Sequence, residues 1–368
     1  MILNMKKIIH IVWGLGGGGK ERRLIQLIKG LYAQGCDQTM IAMTPKNDYL
    51  GQFEHCVDYY VVAGGGKLSR FRQLSKIIKE RRPDILHLWE GTPSMIFVLP
   101  LLKLRFRFKF IAGYISEAHP VKRCSYYSLC NHYAFFFSDA IVSNAKACLE
   151  AKHAVYRKSH VIFNGFDFSR FEAPDFNKSE YRKELGLNND QFVATMVARF
   201  TPQKDYSMLI EVAEKVKDLK NVVFLTVGKG DTLEQTQKEC MDRNLDNVRF
   251  LGFRSDVEKI LMCSDISLLF TNSQVHAEGI SNSVLESMAA GLPVIATNGG
   301  GTPEIIVNDS CGCIVEPRDS EAAATMLRKL YSDESLRKKI GDNAQARIQS
   351  HFTLDSMTKQ YIDLYNSL

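Results

Sequence analysis

No CxxC pair occurs in these 368 residues, and the nine cysteines lie scattered at 36, 56, 124, 130, 148, 240, 263, 311 and 313. A zinc site of paired cysteines is therefore not indicated. An odd number of cysteines, without a secretion signal, points to reduced thiols and a cytosolic setting. The opening MILNMKKIIHIVW is too short, and too soon followed by glycines, to read as a signal peptide. No apolar run reaches the ~18–20 residues of a membrane-crossing helix. There is no short repeat and no low-complexity tract. What is present is ordinary globular composition, 45% apolar and 24% charged, which excludes a disordered, collagenous or coiled-coil chain.

The length suits two domains of about 180 residues better than one. Charge divides unevenly between them: residues 1–168 carry a net +12 and the remainder −6. The basic half implies either an anionic partner or a solvated basic surface. Both halves alternate strand-like apolar runs with amphipathic segments. In the first, KIIHIV, QTMIAMT, DILHLW, FKFIAGYIS, DAIVSN and HVIFNG read as buried strands. Leu24, Leu27, Ile28 and Leu31 fall at helical spacing between the first two. The pattern restarts after NGFDFSRFEAPDFNKSE, a polar stretch that reads as a linker, with QFVATMVARF, NVVFLTVGKG, NVRFLG, DISLLFTN and LPVIATN as strands. Short apolar runs separated by helices predict an α/β chain of two parallel-sheet, Rossmann-like domains facing across a cleft. The domains are expected at 1–168 and 169–352, with 353–368 a final helix packing back on the first domain.

Ligands of such sheets bind beyond the carboxyl ends of the strands, so the loops after strands carry the chemistry. The first is Gly14-Leu-Gly16-Gly-Gly-Gly19, which taken literally fits the GxGxxG dinucleotide fingerprint. An NAD(P)-dependent oxidoreductase is thus an alternative. That reading also needs an acid at the end of the second strand, where this chain has Ala42-Met43-Thr44-Pro45.

In the second half, two carboxylates, Glu278 and Glu286, flank a turn that opens a short helix ended by Gly291 and Pro293. Free N–H groups and the helix dipole make the start of that helix an anion site. Ser283-x-x-Glu286 also fits a capping box, in which the acid only closes the helix start. Arg199 and Lys204 follow the first strand of this half and suit a clamp for two phosphates. Gly228-Lys229-Gly230 ends the next strand. Phe253 and Arg254 end another, with Phe253 equally readable as core. Asn298-Gly-Gly-Gly301 is a further glycine-rich strand exit.

EGISNSVLESMAAGLPVIATNGGGTPEII resembles the E-x7-E donor signature of retaining glycosyltransferases of glycosyltransferase family 4, which have the GT-B fold. GGGGKERRLIQLIKGL is similar to the family's GGxER segment, NGFD to its interdomain NGVD, ARFTPQKD to its R-x4-K and FLGFRSDV to its base-binding turn. The resemblance covers nearly the whole chain. It implies transfer of a hexose from a nucleoside-diphosphate sugar, with no metal and no other cofactor. Arg199 and Lys204 would neutralise the departing diphosphate, and Glu278 would contact the donor sugar. Glu286 would bond the ribose hydroxyls. Gly279, Ile280, Ser281 and Asn282 would offer N–H groups, with Gly228 beside them. Gly17 and Gly18 would line the cleft, while Phe253 and Arg254 would lie near the base. One departure concerns the family's His after a strand of the first domain: His119 lies three or more positions late, and Glu117 is the other residue in reach.

The acceptor side is less marked. LLKLRFRFKF (101–110) interleaves cations and apolar groups, which suits an anionic lipid surface or a half-exposed strand. No nucleic-acid-binding module accompanies it, so nucleic acid is not an expected partner. The resulting expectation is a cytoplasmic, peripherally membrane-bound enzyme using a glycan or lipid-linked acceptor in capsule, O-antigen or lipopolysaccharide synthesis. A non-catalytic sugar-nucleotide-binding protein is the remaining alternative.

Overall fold

A computed structural model describes residues 6–16, 19–90, 92–122 and 125–368. The chain divides into two units, one running to Gly165 and including Leu354–Leu368, the other spanning Phe166–Thr353. The division thus falls three residues before the expected 168.

In the first unit the strands are β1 (Lys7–Val12), β2 (Asp37–Ala42), β3 (Asp58–Val61), β4 (Ile85–Leu88), β5 (Lys109–Ile115), β6 (Ala140–Ser143) and β7 (Ser159–Val161). They form one parallel sheet in the order β3-β2-β1-β4-β5-β6-β7. Because side chains alternate along a strand, Ile8 and Val12 join one core while Ile9 and Ile11 join the other. The first core takes Leu24, Leu27 and Ile28 from the helix Gly19–Ala33, and Met357, Tyr361 and Tyr365 from the terminal helix Leu354–Ser367. Leu74, Ile78, Leu99 and Leu102 cover the opposite face. With both faces covered, the strands need the continuous apolar character seen in the sequence.

The second unit contains β8 (Phe192–Val197), β9 (Val222–Val227), β10 (Val248–Phe250), β11 (Ile266–Leu269), β12 (Val294–Thr297) and β13 (Cys313–Val315), in the order β10-β9-β8-β11-β12-β13. Both sheets therefore follow the Rossmann order, with the strand direction of winding reversing between β1 and β4 and between β8 and β11. At such a switch point the loops after the two central strands diverge and leave a crevice.

Three expectations change. The 164–180 stretch is more than a linker: it holds a 3-10 turn, Phe168–Phe171, and the start of the helix Lys178–Glu184. The 101–110 alternation is no strand through its length, since the helix Pro93–Phe106 runs to Phe106, Arg107 caps it in the left-handed region, and β5 begins at Lys109. The edge strands β3 and β13, absent from the sequence reading, complete the sheets.

Candidate active site

The switch point of the second unit brings together the loops after β8 and β11, and the side chains there are Arg199, Lys204 and Glu278. Residues 199–204 turn tightly, with Thr201 N–H bonded to Arg199 O at 3.0 Å and Lys204 N–H to Thr201 O at 2.9 Å. The turn is then tied to the β11 exit by Asn272 N–H to Gln203 O at 2.9 Å. Lys204 donates to the Glu278 carboxylate in a short ion pair. Burial by itself would raise the Glu278 carboxyl, but the Lys204 ammonium, the Ser281 hydroxyl and His276 outweigh it and hold it below the usual carboxylate value. Arg199, by contrast, is exposed, and its guanidinium has no ion-pair partner among the described residues.

Two glycines set the backbone under these groups. Gly228 has φ +153°, and a Cβ there would lie 2.0 Å from the carbonyl oxygen of Ala198. Its role in this structure is thus to let the β9 exit press against the Arg199 loop. Gly300, φ +54°, would put a Cβ 1.9 Å from the carbonyl oxygen of Glu278, and Gly301 N–H donates to that oxygen at 2.9 Å. The Asn298–Gly301 loop therefore spends an N–H on fixing Glu278.

The helix after Glu278 spans Asn282–Ala289, with Ser281 at its N-cap and Gly279 and Ile280 buried before it. The capping-box alternative does not form. Ser283 lies inside the helix and its hydroxyl donates to Val197 O at 2.7 Å, tying the helix start to β8. Glu286 is buried and ion-paired at 3.0 Å with Arg170, which also pairs with Glu258. Arg170 lies in the turn that the sequence reading took for linker. Its only local sign is the Asp167–Ser169 cap of that turn, which says nothing of its distant acids.

Phe253 is exposed, with Lys229 Nζ 4.9 Å from its ring centroid, so it is not core. Arg254 is held by Asp256 at 2.6 and 2.8 Å and by the Tyr181 hydroxyl at 3.2 Å. These hydrogen bonds push the Asp256 carboxyl down to about 2.

In the first unit, the Gly14–Gly16 segment lines up with residues 44–48, Leu15 N–H donating to Lys46 O at 2.8 Å. Gly17 and Gly18 lie outside the described residues. Glu117 and His119 are exposed beyond the end of β5, and the His119 carbonyl accepts from Lys152 at 2.9 Å. A cavity of about 80 Å³ beside Lys7, Asp37 and Arg81 opens at the amino ends of β1 and β2, the end away from the strand exits. Among the described residues no group of three acids, histidines or cysteines is arranged to hold a metal, and no helix is long and apolar enough to cross a membrane.

Residues 17–170 match the family described as Glycosyltransferase Family 4, and residues 177–347 match Glycosyl transferases group 1. The chain is therefore a glycosyltransferase built of two glycosyltransferase domains, with two parallel Rossmann-like sheets of the GT-B fold. Over 98% of this chain and 99% of the relative it is 26% identical to the lipopolysaccharide core biosynthesis glycosyltransferase LpsE of Rhizobium meliloti. It is 30% identical, over 59% of this chain and 56% of the relative, to the UDP-Gal:alpha-D-GlcNAc-diphosphoundecaprenol alpha-1,3-galactosyltransferase of Escherichia coli. The crystal structure of Anabaena HepE in complex with UDP shares the fold, with a TM-score of 0.85 at 20% identity over 98% of this chain and all of that one.

Proposed function

We propose that the protein is a retaining, metal-independent hexosyltransferase that uses a nucleoside-diphosphate sugar and builds surface polysaccharide on a glycan or lipid-linked acceptor at the cytoplasmic side of the membrane. The observation that carries this reading is the Lys204–Glu278 pair beside the unpaired Arg199, on the two loops of the switch point. Two cations at one strand exit match a diphosphate and supply the charge that a metal ion would otherwise bring. The names of relatives that act on lipopolysaccharide core and a diphosphoundecaprenol glycan support the acceptor class.

In the proposed reaction the bond between the anomeric carbon and the diphosphate breaks, its electron pair passing to the leaving oxygen. Arg199 and Lys204 stabilise that oxygen as charge develops. The acceptor oxygen bonds to the same face of the anomeric carbon, and its proton goes to the diphosphate. Glu278, kept ionised by Lys204, is a weak proton acceptor and serves to orient the sugar. Ser281, Asn282 and the N–H groups of Gly279 and Ile280 line the sugar-phosphate position. Glu286, aligned by Arg170, takes the ribose hydroxyls, and Phe253 and Arg254 take the base.

A panel of UDP-, GDP- and ADP-sugars, followed by thermal shift and product formation, tests the reading. Lys204→Ala is expected to lower kcat by about 10²–10³-fold. Glu278→Ala should abolish transfer, and Glu286→Gln should raise the donor KM with a smaller effect on kcat. Stabilisation by NAD(P) alone, binding of sugar nucleotides without transfer, or unchanged kinetics in both acid variants would each defeat it.

A further inference from the structure

The two tryptophans of the chain stand at the exits of β1 and β4, the strands on either side of the first sheet's switch point, and they differ sharply. Trp89 is fully buried, and its backbone N–H donates to Ile11 O at 2.8 Å. Trp13 is 37% exposed, and among the described residues its ring meets no other ring and no cation. One exposed indole alone signifies little. Its neighbours give it meaning.

Glu90, directly after Trp89, accepts from the Trp13 backbone N–H at 3.3 Å through Oε2 and pairs with Lys20 Nζ at 3.0 Å through Oε1. Lys20 lies in the first turn of the helix Gly19–Ala33, at the positive end of its dipole, where a cation contributes nothing to the helix. Both side chains are partly open to water. A carboxylate has about four acceptor positions, so Glu90 keeps room for about two further donors. Beyond Trp13 the chain turns toward the β2 exit, with Leu15 N–H bonded to Lys46 O and Asp48 N–H to Leu15 O, both at 2.8 Å. After β4 it leaves for the helix Pro93–Phe106, which covers the opposite face of the sheet. The loops diverge, and Trp13, Lys20 and Glu90 stand at the opening. A flat indole beside a mutually neutralised carboxylate and ammonium suits a ring with one apolar C–H face and hydroxyls on its rim. It does not suit a phosphate, because Glu90 would repel one at Lys20.

We infer that Trp13, Glu90 and Lys20 form a saccharide subsite. The face of a pyranose stacks on Trp13, adjacent hydroxyls donate to Glu90, and Lys20 donates to a sugar oxygen. That the sugar held there is the acceptor's terminal residue rests on the transferase reading; that a sugar is held does not.

Saturation-transfer NMR of the full chain with the methyl glycosides of glucose, galactose, mannose and N-acetylglucosamine tests it, together with acrylamide quenching of tryptophan emission. At least one glycoside should take up saturation on the hydrogens of one ring face and shield the Trp13 emission. Trp13→Leu, which keeps an apolar group but no ring, should weaken that binding about tenfold, and Trp13→Phe less. Glu90→Gln keeps an acceptor for the Trp13 N–H while losing the charge and one acceptor oxygen. It should weaken binding to a similar degree at an unchanged thermal midpoint. Stabilisation by UDP should be the same in wild type and all three variants. Equal binding of the glycosides by wild type, Trp13→Leu and Glu90→Gln, or binding by none of them, overturns the subsite. So does a lowered midpoint in Glu90→Gln with undiminished glycoside binding, because the carboxylate is then only a strut between two strand exits. Loss of UDP stabilisation in these variants would assign the residues to the donor and likewise overturn it. Glycoside binding that follows the variants, without transfer from any sugar nucleotide, would instead defeat the transferase reading and leave the subsite standing.

Discussion

Among the described residues each unit buries one arginine almost completely, Arg23 in the first at 3% exposure and Arg182 in the second at 4%, and the two are treated in opposite ways. Arg182 bonds through Nε and Nη2 to Cys263 O, through Nη1 to Asn189 O and Gln191 O, and pairs with Asp265 at 2.9 Å. It staples the helix Lys178–Glu184 to the amino ends of β8 and β11, opposite the active end of the sheet. Arg23 has one long contact, 3.4 Å from Nη1 to Asn164 Oδ1, and its Nε and Nη2 have no partner. Its guanidinium lies 4.9 Å over the Trp89 ring, beside His10, His87 and Tyr361, and no carboxylate pairs with it among the described residues. A buried guanidinium is a fastener only where its five donors are matched. The first unit instead leaves the buried donors of Arg23 undersatisfied, and its ion pairs, such as Lys20–Glu90 and Lys103–Asp139, lie nearer the surface. The second spends its charges on internal pairs such as Lys204–Glu278 and Arg170–Glu286.

That contrast is broken most sharply at Arg182. Arg182→Met should destabilise the protein by about 3–5 kcal/mol, read as a lower urea midpoint, because it strands Asp265 and three carbonyl groups. A near-neutral result would mean that the bonds are incidental.

The next effect is acid sensitivity of the first unit. Burial lowers His10 to about 4 and His87 well below its usual value, so both are neutral in the fold while the unfolded chain takes up protons near 6.5. Stability is then full above about pH 6.5 and falls as the pH drops toward 4, by about 3 kcal/mol for His10 alone. Urea titrations across that range should show the slope, and His10→Gln should flatten it.

Gly228→Ala comes third, at about 1–3 kcal/mol, since it meets both an unfavourable φ and the Ala198 carbonyl. It should also lower transfer by displacing Arg199, whereas equal losses of stability without loss of activity would separate that glycine from the site. Smallest is Arg23→Met, within about 1 kcal/mol of wild type or more stable, because it removes a buried charge that lacks a counter-ion. A large loss there would erase the contrast between the units.

The long central strands were legible from their apolar runs, and the two-domain division from the restart of that pattern. Two of the four edge strands were not: β3 is Asp58-Tyr-Tyr-Val61, exposed at both ends, and β13 is the short Cys313–Val315, whereas the equally short edges β7 and β10 showed in HVIFNG and NVRFLG. The helix Pro93–Phe106 was hidden because its last residues belong to the 101–110 alternation, which suits a strand equally well, and Pro100 lies inside it. Glu278, Glu286, Arg199 and Lys204 were visible as residue types at strand exits. The arginine that holds Glu286 was not, since nothing near Arg170 in the chain announces an acid 116 positions later.

By itself the sequence determined where strands alternate with helices and which loops follow strands, because hydrophobic periodicity is a local property of the chain. Only the folded sheets decided that Lys204 meets Glu278, 74 residues on, that Arg170 takes Glu286, and that Glu90 meets Lys20 and the N–H of Trp13. Such pairings depend on strand order and register, which bring distant loops to a common edge, and no local pattern encodes that distance.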